Sequence, residues 1–132
     1  MISKKTLVTG GAGFIGSHLV DKLLEEGHEV IVLDNLVTGN KNNLSHIKDR
    51  ISFFNVDITN FEEILPLCDK VDWVFHLAGL ADIVPSIENP LKYYDSNVNG
   101  TISLLEASRI QKIKKFIYAA SSSCYGIPIE YP

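Results

Sequence analysis

Four of the nine glycines in the chain fall within seven residues, Gly10-Gly11-Ala12-Gly13-Phe14-Ile15-Gly16. The run satisfies G-x-G-x-x-G from Gly11 and G-x-x-G-x-x-G from Gly10. It follows a short apolar run and opens a stretch with helical spacing, which is the context in which the motif has a mechanism. Gly10 permits a tight turn. Gly13 lacks a Cβ, so backbone can approach a pyrophosphate, and Gly16 lets the helix pack closely on the strand. The N–H groups at the helix start then point at the phosphates. Asp34 lies 18 residues past Gly16, at the end of the next apolar run. A carboxylate there accepts hydrogen bonds from an adenosine ribose diol and repels a 2′-phosphate. No Arg or Lys stands at 35–40 to offset it, so the pattern favours NAD over NADP. The competing reading is a turn rich in glycine for steric reasons alone.

Other residues with chemistry follow other apolar runs. Asp57 suits hydrogen bonding to an adenine amino group, with Ile58 covering the ring; an Asx turn or a helix cap is an equal alternative. The small residues of Leu77-Ala78-Gly79-Leu80 leave room for a ligand, or make a tight turn. His76, at the end of an apolar strand, reads as a hydrogen-bonded core residue rather than a ligand or base, and Trp73 and the phenylalanines read as core. Ser121, Ser122 and Ser123 bring hydroxyls that can bond a substrate hydroxyl or carbonyl, or simply suit a strand-to-loop turn. No Ser-His-Asp pairing is legible and G-x-S-x-G is absent, which argues against a hydrolase. Cys68 and Cys124 are too few and too far apart for a disulfide framework or a zinc site, so free thiols in a cytoplasmic protein and no bound metal are expected.

These residues need a scaffold, and the apolar patterning supplies one. Strands are predicted at 6–9, 29–33, 51–56, 72–77 and 115–120. A helix with Phe14, Ile15, Leu19, Leu23 and Leu24 on one face ends at Gly27 in a C′ position. Thr59 or Asn60 caps a helix through Leu67, with Glu62 and Glu63 in its first turn. Residues 36–49 read as loop with at most a short helix, and Pro85 and Pro90 punctuate another loop. A long helix over 90–111 carries Tyr94, Val98, Ile102 and Leu105 at helical spacing. Strand–helix alternation with nearly all-apolar strands predicts an α/β fold: a doubly wound, Rossmann-like parallel sheet of about five strands covered by helices on both faces. Such sheets bind ligands beyond the carboxyl ends of their strands.

Composition agrees. The chain has 132 residues, a formal charge of −4 and 45% hydrophobic residues, values ordinary for one globular domain, here 1–132. The acidic balance argues against nucleic-acid binding, and Lys112, Lys114 and Lys115 read as a solvated helix end. There is no apolar run long enough for a transmembrane helix or a signal peptide, so no membrane association is expected.

Several of these segments together resemble the extended short-chain dehydrogenase/reductase family, and within it the NAD-dependent nucleotide-sugar epimerases and dehydratases. They are 9–19 (TGGAGFIGSHL), Asp34-Asn35-Leu36 with Thr38-Gly39, Asp57-Ile58, His76-Leu77-Ala78-Gly79, Asn97-Val98-Asn99-Gly100-Thr101 and Ser121-Ser122-Ser123-Cys124-Tyr125-Gly126. The second of these is similar to the corresponding segment of UDP-glucose 4-epimerases. The resemblance implies that Phe14 and Ile15 supply backbone near the pyrophosphate and that Asp34, Asn35 and Gly39 line the adenosine ribose. It places Asp57 and Ile58 at adenine, Leu77 to Leu80 under the nicotinamide-side ribose, and Ser96 against the cofactor. Asp82 and Ile83 would meet the sugar diphosphate, with Ser121 as the catalytic hydroxyl on the sugar's C4 oxygen and Ser122 beside it. The implied activity is reversible oxidation at C4 of a nucleotide sugar, a UDP-sugar above all, through bound NAD. A homo-oligomer through 90–111 is also implied.

The family's Tyr-x-x-x-Lys motif is missing. Tyr118, Tyr125 and Tyr131 have no Lys four residues later. The chain is therefore expected to be the N-terminal part of a longer enzyme, lacking the last strands and the substrate domain and inactive alone. Ser122-Ser123 stand where dehydratases of the family carry Asp-Glu, which favours an epimerase. A 4,6-dehydratase fragment and a non-catalytic dinucleotide-binding module are the alternatives.

Overall fold

The computed structural model describes residues 2–121 together with Cys124, Gly126 and Ile127. Five strands form one sheet: β1 (Lys5–Thr9), β2 (Glu29–Leu33), β3 (Ser52–Phe54), β4 (Trp73–His76) and β5 (Lys115–Tyr118). All pair in parallel, in the order β3-β2-β1-β4-β5. The order reverses at β1, whose partners lie 24 positions downstream in β2 and 67 in β4, so the crevice opens beyond Thr9, between the β1 and β4 ends.

Alternation along each strand sends side chains to two cores. On one face Leu7, Ile31, Leu33 and Val74 pack with Ile64, Leu104 and Ala107. These last three come from helices α2 (Phe61–Leu67) and α5 (Gly100–Ile110). On the other face Val8, Val30 and Val32 pack with Val20, Leu23 and Leu24 of α1 (Phe14–Glu25), and with Leu44 and Ile47 of a 3-10 helix (Lys41–Arg50). This is the doubly wound arrangement the patterning predicts.

Helix α1 stops as expected. The His28 N–H reaches the Leu23 carbonyl (3.0 Å) and the Gly27 N–H the Leu24 carbonyl (3.2 Å), a Schellman closure around Gly27 at φ +81°. A Cβ at Gly27 would meet nothing within 4 Å. Gly27→Ala is therefore expected to cost only the left-handed backbone penalty, about 1 kcal/mol, measurable by denaturant unfolding.

Several expectations need correction. Within residues 36–49 begins a ten-residue 3-10 helix (Lys41–Arg50), longer than the short helix allowed for, whose start is capped by Asn40 accepting from the Asn42 N–H (3.0 Å). The loop around Pro85 contains a short helix, α3 (Ile83–Glu88). The helix over 90–111 is not uniform: α4 (Pro90–Tyr94) leads through a π-helical turn (Asp95–Asn99) into α5. Its periodic apolar residues Tyr94, Val98, Ile102 and Leu105 are exposed, as a stripe left for self-association should be, and α5 meets the sheet through Leu104 and Ala107. Phe14 and Phe54 are exposed rather than core. Lys112, Lys114 and Lys115 are exposed, as expected, but they follow the end of α5 and lead into β5. Lys114 pairs with Asp72 (2.7 Å), a hydrogen bond that holds the Asp72 carboxyl below the usual carboxylate range, and Lys115 lies over the Trp73 ring. Among the described residues no helix is long and apolar enough to cross a membrane, and no group of three or more His, Cys, Asp or Glu side chains is placed to hold a metal ion.

Candidate functional site

The crevice at the strand-order reversal is a cleft with about 560 Å³ of empty space, its open mouth included. Its floor and walls come from four strand ends. Gly10 and Gly13 follow β1, and Asp34, Asn35 and Gly39 follow β2. Ile58 follows β3, Leu77 to Leu80 follow β4, and Ser96 reaches in from the π-helical turn. A second hollow of about 350 Å³ continues it, sharing Asn35, Leu80 and Ser96 and adding Asp57. Most of the residues predicted from sequence are thus gathered on one groove.

The glycine loop is shaped by contact. Gly10 has φ +68°, and a Cβ on it would stand 2.8–2.9 Å from the backbone of Leu77 and Ala78. A Cβ on Gly16 would run into the Gly10 carbonyl oxygen and lie 2.7 Å from Gly11 Cα. The loop closes with the Gly13 N–H on the Gly10 carbonyl (3.1 Å) and the Ser17 N–H on the Gly13 carbonyl (3.0 Å). The first-turn N–H groups of Phe14, Ile15 and Gly16 precede that bond and have no carbonyl one turn back to receive them. Together with the positive end of the α1 dipole, such groups are suited to an anion. The Phe14 and Ile15 side chains point outward, 78% and 68% exposed, so only their backbone can serve the site. Gly16 packs the helix start against the loop and does not line the cleft.

Asp34 does more than its position predicts. It is only 7% exposed. Its Oδ2 accepts the Ala12 N–H (2.9 Å) and its Oδ1 accepts the Leu36 N–H (2.8 Å). The Ala12 amide is therefore spent on Asp34 and is not offered to a phosphate. The carboxylate ties the glycine loop to the loop after β2, and as it also lines the cleft each oxygen keeps a lone pair that a diol could use. Gly39 sits against it: a Cβ there would be 2.7 Å from Oδ1.

Asp57 is organised for its second hollow. Its Oδ1 accepts from the Thr59 N–H (2.9 Å) and hydroxyl (2.8 Å), and its Oδ2 accepts from Asn35 Nδ2 (2.7 Å). Burial opposes its ionisation, but these hydrogen bonds outweigh burial and hold the carboxyl below its ordinary range. The Asx-turn and ligand-facing readings are thus compatible. Ile58 is buried and packs over Gly100, where a Cβ would come within 2.7 Å of its Cδ1.

The segment after β4 is held by a residue that the sequence reading named only as part of a motif. Asn97 accepts from the Leu80 N–H (2.8 Å) and donates to the Leu80 carbonyl (2.9 Å). Thr38, named in the motif with Gly39, also lines the cleft, as do Leu33 and Val56, whose positions at the ends of β2 and β3 were the available signal. Asp82 stands at the N-cap position of α3 without a side-chain capping bond, and Ile83 begins the helix, 76% exposed; neither lines the two hollows. Ser121 lies beyond β5, where its carbonyl accepts the Cys124 N–H (3.2 Å), and it does not line the cleft. Ser122 falls outside the described residues.

A 3-2-1-4-5 parallel sheet with a glycine loop and an acidic second-strand end at the reversal defines a Rossmann-like nucleotide-binding protein. The chain belongs to the NAD dependent epimerase/dehydratase family, whose model matches residues 6–132. It is 47% identical over 129 residues to a putative UDP-glucose 4-epimerase of Methanocaldococcus jannaschii, a match covering 96% of this chain and 41% of that protein. It is 40% identical to a UDP-glucose 4-epimerase sequence of Klebsiella pneumoniae, with 92% of each covered. The crystal structure of UDP-glucose-4-epimerase from Stenotrophomonas maltophila, with bound NAD and formylated UDP-arabinopyranose, superposes with a TM-score of 0.90 at 32% identity. That match covers 98% of this chain and 40% of the other. The chain thus spans about two-fifths of the length of most such relatives.

Proposed function

We propose that this chain binds NAD in the cleft beyond β1 and β4 and is the cofactor-binding part of a UDP-sugar 4-epimerase. The observation that carries the reading is the start of α1 at the glycine loop, whose Gly10 and Gly13 share one cleft with the Asp34 carboxylate. The helix start suits a pyrophosphate and the carboxylate an unphosphorylated ribose. Asn35 and Gly39 extend the ribose wall, and Asp57 with Ile58 forms the adenine end. Leu77 to Leu80 and Ser96 take the nicotinamide half, with Phe14 and Ile15 contributing amides only.

Bound NAD would supply a hydride acceptor that returns the hydride to the opposite face of the sugar's C4. The chain's own part is orientation. Ser121, at the carboxyl end of β5, is assigned to hydrogen-bond the C4 oxygen, with Ser122, Asp82 and Ile83 on the sugar-diphosphate side. The general base of the family is a tyrosine paired with a Lys four residues on, and no tyrosine in this sequence has that partner. The chain by itself should bind cofactor without turnover. Ser122-Ser123 support an epimerase over a dehydratase. The free cysteines Cys68 and Cys124 suit a cytoplasmic site of action. The exposed face of Tyr94, Val98, Ile102 and Leu105 suits docking of a second copy.

Calorimetric titration tests the reading. NAD should bind at least tenfold more tightly than NADP, because a 2′-phosphate would meet the Asp34 carboxylate. Asp34→Asn should narrow that ratio while keeping one oxygen as acceptor. Equal affinity of the unaltered chain for both cofactors would remove the assignment of Asp34.

A further inference from the structure

His76 is 1% exposed at the end of β4 and takes no part in the cofactor contacts assigned above. Its ring nonetheless bonds at both nitrogens: Nδ1 to Thr9 Oγ1 (2.7 Å) and Nε2 to Thr101 Oγ1 (2.8 Å). The proton positions follow by elimination. The Thr101 hydroxyl has one proton, and it is given to the Asn97 carbonyl (2.6 Å). Thr101 Oγ1 must then accept, so His76 Nε2 carries a proton. A neutral ring leaves Nδ1 as acceptor, which commits the Thr9 hydroxyl proton to it. The Thr9 oxygen is thereby turned with its lone pairs toward the N–H groups of Leu77 and Ala78, both 3.2 Å away.

The two ends of this chain of bonds are the two holders of the cofactor segment. Thr9 grips Leu77 and Ala78 at its start. Asn97, whose carbonyl fixes Thr101, grips Leu80 at its end through both groups of its side-chain amide. Among the described residues, the backbone of Leu77–Leu80 bonds to strand backbone through the Leu77 N–H on the Thr9 carbonyl (3.2 Å) alone. Its position is set by these side chains, and the imidazole is what joins them.

We propose that His76, as its Nε2–H tautomer, is a positioning residue for NAD binding: it orients the Thr9 and Thr101 hydroxyls so that both ends of the Leu77–Leu80 segment are held at the cleft. The proposal rests on the NAD reading of the cleft, and burial of the ring agrees with it, pushing the imidazole down to about 4.

The experiment uses the 132-residue chain labelled with 15N. Imidazole nitrogen spectra at pH 7 should show His76 protonated at Nε2 and bare at Nδ1; an Nδ1–H tautomer or a doubly protonated ring overturns the proposal. Thr9→Val keeps the shape of the side chain and removes the hydroxyl. It should speed amide exchange at Leu77 and Ala78 at least tenfold and weaken NAD binding about tenfold, whereas Thr9→Ser should restore both. A folded Thr9→Val chain with unchanged exchange and affinity overturns it, as does a failure of Thr9→Ser to restore either. If Thr9→Val does not fold, Thr101→Val with Thr101→Ser gives the same comparison, read at the amide of Leu80. Should the unaltered chain bind no NAD, the cofactor reading and the positioning role fall together, while the tautomer and exchange results still report whether the bond chain exists.

Discussion

Gly10→Ala is expected to lower the unfolding free energy by about 2–5 kcal/mol, from a left-handed backbone penalty of ~1–2 and an overpacking cost of ~1–3. The melting temperature should fall by roughly 10 °C or more. Gly27 has a similar positive φ but open space around its missing Cβ, so the two glycines separate conformational strain from collision. At Gly10 the obstructing atoms are the Ala78 N and Cα and the Leu77 carbonyl carbon. These are backbone atoms and cannot swing aside as a flexible side chain would. The segment after β4 must move as a unit, away from Thr9 and into the cleft. NAD affinity should therefore fall further in Gly10→Ala than in a Gly27→Ala chain compared at equal folded fraction. Differential scanning calorimetry with and without NAD reads both effects. A Gly10→Ala chain no less stable than Gly27→Ala would mean that the approach of the two loops is looser than described.

The second large effect is on acidification. Burial lowers the His76 imidazole from 6.5 to about 4. Between those values the unfolded chain takes up a proton that the folded chain refuses, so stability rises with pH across the window. The contribution is complete above about 6.5, declines as the pH falls, and is exhausted near 4, a total of about 3 kcal/mol. Denaturant unfolding at pH 7.5 and at 4.5 should differ by about 2–3 kcal/mol in the unaltered chain. In His76→Asn, where there is no imidazole to titrate, most of that difference should vanish. Asp57 acts in a different window. Its carboxyl is depressed, so its contribution is present above the ordinary carboxylate range and is lost only as pH falls through its lower folded value. A pH dependence shared equally by the unaltered chain and His76→Asn would assign the acid sensitivity to other groups.

How much of this was legible beforehand divides by the range of the interaction. The alternating apolar runs, the stop at Gly27, the glycine loop and the acidic residue after the second strand are written in contiguous residues, and the structure keeps all of them. Helix faces were less safe. Tyr94, Val98, Ile102 and Leu105 have helical spacing, yet the residues of α5 that reach the core are Leu104 and Ala107. Spacing reveals an apolar stripe without saying what covers it. The π-helical turn and α3 were missed because a one-residue change in helical bonding, and a helix of six residues around a proline, leave little periodic trace.

The sequence by itself determined the fold class and the glycine loop that opens α1, because strand, turn and helix-start preferences act over a few neighbouring residues. Only the tertiary structure decided that Asp34 takes the Ala12 amide, and that His76 joins Thr9 to Thr101. The first and the Thr9 contact exist because parallel pairing sets β1 between β2 and β4, bringing together groups 22 and 67 positions apart, and the Thr101 contact because α5 packs on the sheet beside β4. No local pattern encodes which strands become neighbours; burial of both faces of the sheet does.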